Sequence, residues 1–237
     1  MHTFNMPPQV LERVIKRRGR RHAYDALTPQ KTALVVVDLQ NAFMLPGVAH
    51  ALCPAAEGIV PNVNRLAAGL RQAGGTVVWI RTAHTEQTLK EWSCYYEDLS
   101  TPAAKQKRIE ALTPGSKGYE LWPDLAIDPS DLIVDKGRYS AFIQGSSSLE
   151  RQLRARGIDT VVVTGTVTNV CCESTARDAM MLDFKTIMVS DGNAAANDQE
   201  HANSLVAFYL NFGDVQTTDE VLGHLKVGAR TPVAVPA

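Results

Sequence analysis

The sequence predicts an α/β protein whose mainly parallel sheet is covered by helices on both faces. Three observations carry this. Short β-branched runs alternate with longer helical stretches, the pattern of repeated βαβ units. The runs are apolar throughout, as in Ala33-Leu34-Val35-Val36-Val37, which suits strands buried on both sides. Glycines close the helical stretches, Gly74-Gly75 after one and Gly157 after another, where helix C-termini favour them.

Residues 1–30 read as a helical and basic arm. Val10–Ile15 suggests one short helix, and Lys16-Arg17-Arg18-Gly19-Arg20-Arg21-His22 follows it. Such a cluster can bind polyanions. The rest of the chain is not basic, so a solvated arm that packs on a neighbouring subunit is the preferred reading. The pattern then places a strand near 32–38, a helix near 58–73 and a strand near 76–82. Segment 83–130 holds Trp92, Tyr95, Tyr96, Tyr119 and Trp122 among prolines and polar residues with no long regular period. It reads either as a substrate wall or as a surface excursion with aromatic anchors. Beyond it come strands near 131–136, 159–165 and 185–190 and a short one near 214–217. Helices are expected near 146–156, 171–182, 198–211 and 219–225. Residues 229–237, ending Thr231–Ala237, form a loose tail. No internal repeat is visible.

A chain of 237 residues suits one full α/β domain, here 31–228, since such domains commonly reach ~200–250 residues. A net charge of −1 gives no electrostatic footprint for nucleic acid or an anionic membrane. No apolar stretch reaches the ~18 residues of a membrane span, and the N-terminal residues lack a signal-peptide apolar region. A cytoplasmic location is therefore expected. The four cysteines, Cys53, Cys94, Cys171 and Cys172, show neither CxxC nor zinc spacing, and reduced thiols are expected.

Three strand ends carry chemistry. Asp38 ends the first apolar run, Lys136 follows Leu132-Ile133-Val134-Asp135, and Cys171 follows Thr160–Gly165 through Thr166-Val167-Thr168-Asn169-Val170. In open α/β sheets that edge is where ligands bind. Taken singly, Asp38 is as readily a turn former, Lys136 a surface ion-pair residue and Cys171 a core thiol. Together they suit a thiol nucleophile, an acid that takes its proton and an amine that holds the acid ionised. Thr168 and Asn169 are candidate N-caps for a helix starting at Cys171, whose free N–H groups would lower the thiol pKa and hold an oxyanion. Cys172 lies ~100° around that helix, on the side of Ala176 and Ala179, and reads as core.

The motifs carry a resemblance. Val35–Phe43, Lys136–Phe142, Thr164–Ala179 and Val189–Ala194 together resemble the isochorismatase-like cysteine hydrolase superfamily over about 30–225. The resemblance implies a three-layer doubly wound fold with a six-stranded parallel sheet and an Asp38/Lys136/Cys171 triad. It also implies a cis Thr166–Val167 peptide and an oxyanion hole from the backbone N–H groups of Val167 and Cys171. Tetramers are common in the superfamily, so a homo-oligomer, tetramer or dimer, is expected. Where nicotinamidases carry an Asp-x-His metal motif, this chain has Arg81-Thr82-Ala83-His84. No metal and no cofactor are expected, and His84 reads as hydrogen-bonded or substrate-facing.

The Lys136 and Cys171 blocks are most similar to the branch acting on ureidoacrylate, biuret, triuret and N-carbamoylsarcosine. The expected activity is hydrolysis of a C–N bond in a small linear amide, a ureide above all, through an acyl- or carbamoyl-thioester with release of ammonia. Around 207–212 the chain lacks the Gly-Gly turn associated with biuret hydrolases, which argues against biuret itself. Gln40, Asn41, Phe43, Arg81, His84, Trp92, Arg138 and Tyr139 are candidate substrate contacts, although Asn41 and Phe43 read equally as turn and core residues. Arg138 or Arg81 could clamp a carboxylate. Rival readings are a nicotinamidase-like amidase, a non-catalytic scaffold using the basic arm, and a thiol redox protein using Cys171-Cys172.

Overall fold

The computed structural model describes the backbone of residues 1–230 and side-chain environments through Lys226. The tail expected over 231–237 lies outside the described residues. The elements in chain order are helix α1 (Pro8–Arg18), strand β1 (Thr32–Val37), α2 (Asn41–Met44), α3 (Val60–Gln72), β2 (Thr76–Thr82), α4 (Glu86–Glu91), α5 (Pro102–Leu112) and β3 (Leu132–Lys136). They continue with α6 (Leu149–Ala155), β4 (Thr160–Thr166), α7 (Glu173–Met181), β5 (Lys185–Ala194), α8 (Asp198–Asn211), β6 (Asp214–Gln216) and α9 (Thr218–Arg230). The last helix is longer than the sequence pattern suggested and runs past residue 228.

The strands form one sheet in the order β3-β2-β1-β4-β5-β6, and every pairing is parallel. Alternate side chains of β1 go to opposite faces, as the pleat requires. Leu34 and Val36 pack with Val63, Leu66, Val221 and Leu225 from α3 and α9. Ala33, Val35 and Val37 pack with Leu149, Ala176, Leu205 and Phe208 from α6, α7 and α8. This two-sided burial is why the strands read as continuous apolar runs.

The chain builds β1, β2 and β3 outward, then returns to lay β4 on the other side of β1. The resulting switch point lies between the carboxyl ends of β1 and β4, where a crevice opens in doubly wound sheets. Gly165 sits there at φ +120°, and a Cβ on it would meet the Val37 carbonyl oxygen at 2.0 Å. Only glycine lets the two strands approach that closely.

Two regions depart from the sequence expectations. Segment 83–130 is not irregular throughout, because it contains α4 and α5. Helix α5 buries only Ala111 and Leu112, so it lacks the apolar stripe by which periodicity finds a helix. Its start carries another signal, Thr101 capping the Ala104 N–H at 3.2 Å with Pro102 in the first turn. The basic arm, in turn, packs on its own chain. Val14 is fully buried in the core, and Arg18 pairs with the buried Asp214 at 3.2 Å and lies over the Tyr209 ring at 4.6 Å.

Candidate active site

Asp38 is the first residue past β1, and its N–H extends the ladder to Ile80 O at 3.1 Å. The residue then turns into the left-handed region at φ 53°, which ends the strand and aims the carboxylate at the switch point. Lys136 ends β3, two strands away. Its Nζ reaches back to Asp38 Oδ2 at 2.8 Å, with both side chains wholly enclosed. Lys136 Nζ also donates to Thr82 Oγ1 at 2.6 Å and to Arg138 O at 3.0 Å. Thr82, at the end of β2, donates in turn to Asp38 Oδ1 at 3.0 Å. Sequence reasoning overlooked this threonine, whose strand-end position was its only signal.

Cys171 completes the cluster, its Sγ 3.5 Å from Lys136 Nζ. It lies in a wide helical turn, Thr168–Cys172, that runs on into α7. The preceding Thr166–Val167 peptide is cis, as the resemblance implied. The expected capping by Thr168 and Asn169 is not what the structure shows. Thr168 Oγ1 shares a 2.9 Å hydrogen bond with His201, and Asn169 Nδ2 donates to Glu200 at 3.1 Å. Both side chains tie the Cys171 turn to α8 instead. Cys172 is fully buried with Ala176 and Ala179.

The electrostatics correct a second expectation. Burial pushes the Cys171 thiol up to about 12, and Lys136 only partly opposes it. Desolvation of a charge in a closed site outweighs the nearby cation. Burial works against the Lys136 ammonium too, yet the charge of Asp38 prevails and holds it above the ordinary lysine value. The resting site therefore holds an ammonium beside a neutral thiol.

A small cavity, ≈ 340 Å³ with its open mouth, leads from solvent to Cys171. Of the predicted substrate contacts, Phe43, Trp92, Arg138 and Tyr139 line it. Tyr95 and Tyr96 of the aromatic segment line it too, with His50 and Arg108, which the sequence reading missed. Trp92 and Tyr95 stack at 4.1 Å, and Tyr139 meets Trp92 edge-on at 4.9 Å, so the aromatic segment does form a wall.

The other predicted contacts have different work. Gln40 is fully buried, donating to Thr82 O and Tyr119 O and accepting from Thr82 N. It fastens β2 beneath the site and has no group left for a substrate. The Asn41 amide donates to Lys117 O at 3.0 Å. Arg81 is held by Asp135 at 2.8 Å and lies over Tyr119, away from the cavity lining. His84 stands behind the wall, 3.1 Å from the Tyr96 hydroxyl. Among the described residues, no three His, Cys, Asp or Glu side chains gather as a metal site would require. No helix among them is long and apolar enough to cross a membrane.

Comparison with known proteins decides the family. The isochorismatase-domain profile matches residues 32–220, most of the chain and all six strands. The chain belongs to the isochorismatase family. Solved members are close in structure to this isochorismatase-family chain. A cysteine hydrolase from Pseudomonas syringae pv. phaseolicola is 31% identical, with a TM-score of 0.72 over 85% of this chain and 95% of that one. An isochorismatase-like hydrolase from Alkaliphilus metalliredigens is 30% identical, with a TM-score of 0.67 over 82% and 96%. The N-carbamoylsarcosine amidase of Thermoplasma acidophilum is 28% identical, with a TM-score of 0.63 over 80% and 97%. The family match stops short of residues 1–31, so the arm lies outside the shared domain.

Proposed function

We propose that this isochorismatase-family protein is a cysteine amidohydrolase that cleaves the C–N bond of a small linear amide, a ureide above all. The enclosed Asp38–Lys136–Cys171 cluster at the end of the cavity carries the reading. The similarity to an N-carbamoylsarcosine amidase supports the ureide class.

A neutral thiol needs a base at the moment of attack. Asp38 takes the Cys171 proton as sulfur adds to the substrate carbonyl carbon, so no free thiolate has to persist in the dry site. Lys136 holds Asp38 in place beforehand through their 2.8 Å pair and stabilises negative charge on sulfur as the proton leaves. The carbonyl oxygen becomes an oxyanion held by the backbone N–H groups of Val167 and Cys171. The C–N bond then breaks, with Asp38 returning its proton to the departing nitrogen, which leaves as ammonia. The acyl or carbamoyl group remains on sulfur as a thioester. Asp38 next takes a proton from water, the resulting hydroxide adds to the thioester carbon, and the C–S bond breaks. Proton return to sulfur restores the thiol.

The test is ammonia release by wild type and Cys171→Ala on biuret, triuret, ureidoacrylate, N-carbamoyl amino acids, nicotinamide and isochorismate, with a metal chelator present. Turnover of a ureide that vanishes in Cys171→Ala is expected. Wild-type turnover retained by Cys171→Ala would sink the mechanism. Turnover of nicotinamide alone would move the substrate to another amide class.

A further inference from the structure

Arg81, Arg108 and Arg138 stand around the carboxyl edge of the sheet, and two of them are already paired. Arg81 is bound by Asp135. Arg138 faces Glu91 at 3.4 Å and lies over Trp92 at 5.4 Å. Arg108, from α5, lines the cavity that leads to Cys171, yet it has no ion-pair partner among the described residues. Its Nη1 donates to Ser100 Oγ at 2.8 Å. Its Nε is buried and meets no acceptor.

The surroundings sharpen the imbalance. The guanidinium lies over the Tyr95 ring at 4.2 Å and near that of Tyr96 at 5.7 Å, which fixes the plane of its donors. Burial, and then the Arg108 charge, holds both His50 and His84 below the ordinary imidazole range, His50 at about 4. These neighbours are therefore neutral near pH 7 and balance nothing. A partly enclosed cation with an unmet donor is costly to maintain. Its planar fork matches a carboxylate, which accepts two parallel hydrogen bonds.

We propose that Arg108 binds a carboxylate on the substrate, so that the molecule cleaved at Cys171 is an anionic ureido or N-carbamoyl acid rather than a neutral ureide. This rests on the amidohydrolase reading and narrows it. Biuret or triuret, carrying no charge, would leave the guanidinium unpaired. A carboxylate bound there fixes one end of a short substrate while the amide end reaches Cys171.

The experiment uses the full chain with Cys171→Ala, so that binding is read without turnover. Calorimetry compares N-carbamoylglycine, N-carbamoyl-β-alanine and ureidoacrylate with their uncharged methyl esters. At least one acid is expected to bind about 10–100-fold more tightly than its ester, the range of a charge-assisted hydrogen-bonded pair. Adding Arg108→Gln should bring the acid-to-ester ratio to within about 3-fold of one, and Arg108→Lys should keep part of the preference. A merely structural role for Arg108 would weaken acid and ester together and leave their ratio intact, which overturns the proposal. So would failure of all three acids to bind. Ammonia release from the same compounds by wild type separates the two readings. An acid bound through Arg108 but never hydrolysed rejects the amidohydrolase and keeps the carboxylate site. Hydrolysis confined to esters or biuret does the reverse.

Discussion

Lys136 Nζ lies 2.8 Å from Asp38 Oδ2, and neither side chain touches solvent. The two arrive from strand ends that are not neighbours in the sheet, since β2 runs between β1 and β3. Removing one member strands the other as an uncompensated buried charge, at a typical cost of about 3–5 kcal/mol. Lys136→Met should therefore lose about that much stability by urea denaturation and abolish turnover. Lys136→Met combined with Asp38→Asn should regain much of the stability and none of the activity. A double variant no more stable than the single would mean that the pair's charges do not set the cost.

The Cys171 thiol offers a spectroscopic check. With its pKa pushed up to about 12 by burial, the folded protein should show no thiolate step from Cys171 near pH 8.5, the ordinary cysteine value. The difference in absorbance at 240 nm between wild type and Cys171→Ala should stay flat from pH 6 to 9.5. A thiolate appearing between pH 6 and 8 would place the resting proton on another group and require a different first step.

Much of this site was legible because it sits on strand ends. The valine runs located β1 and β4, and Asp38 and Cys171 follow them by short, countable steps. What escaped was whatever depended on side-chain direction or on a helix without an apolar stripe. Gln40 and Asn41 follow Asp38 as a ligand-facing pair would, yet their amides are taken up by backbone carbonyls. A sequence cannot distinguish a satisfied buried amide from one that faces a substrate. Arg108 was missed along with α5, for which Thr101-Pro102 was the available signal. His50 lies in a loop and reaches the cavity by packing edge-on to Phe43 at 5.0 Å, a contact with no local sequence pattern.

Gly165 ties the fold to the site. Its φ of +120° and the 2.0 Å approach of a Cβ to Val37 O leave Gly165→Ala two sources of strain. One is a backbone angle that L-residues rarely adopt, and the other is a clash with backbone that has no rotamer to escape into. Separating β1 from β4 would also pull Asp38 from the Cys171 turn. The variant should lose more than about 3 kcal/mol, and any folded fraction should show a large fall in kcat. Unchanged stability and turnover would show that the two strands can part here without consequence.

The basic arm contributes a pH dependence of stability. His22 Nδ1 lies 3.4 Å from Asp214 Oδ2, and its Nε2 lies 3.4 Å from Glu220 Oε1. Burial alone would lower this imidazole, but hydrogen bonding and charge from the two carboxylates override it and raise its pKa to about 9. Hydrogen bonding to His22 is likewise the main influence drawing Glu220 down to about 2. The folded pKa of His22 exceeds its unfolded value of about 6.5, so folding favours the protonated ring. That contribution is complete below about pH 6.5 and disappears as pH rises through about 9. Part of it is shared with Glu220, which leaves on the order of 2 kcal/mol for His22 itself. Between pH 6 and 9.5, the unfolding free energy of wild type in urea should fall by about that much more than that of His22→Gln. Parallel losses in the two proteins would assign the alkaline sensitivity to another group and leave His22 a neutral packing residue between the arm and α9.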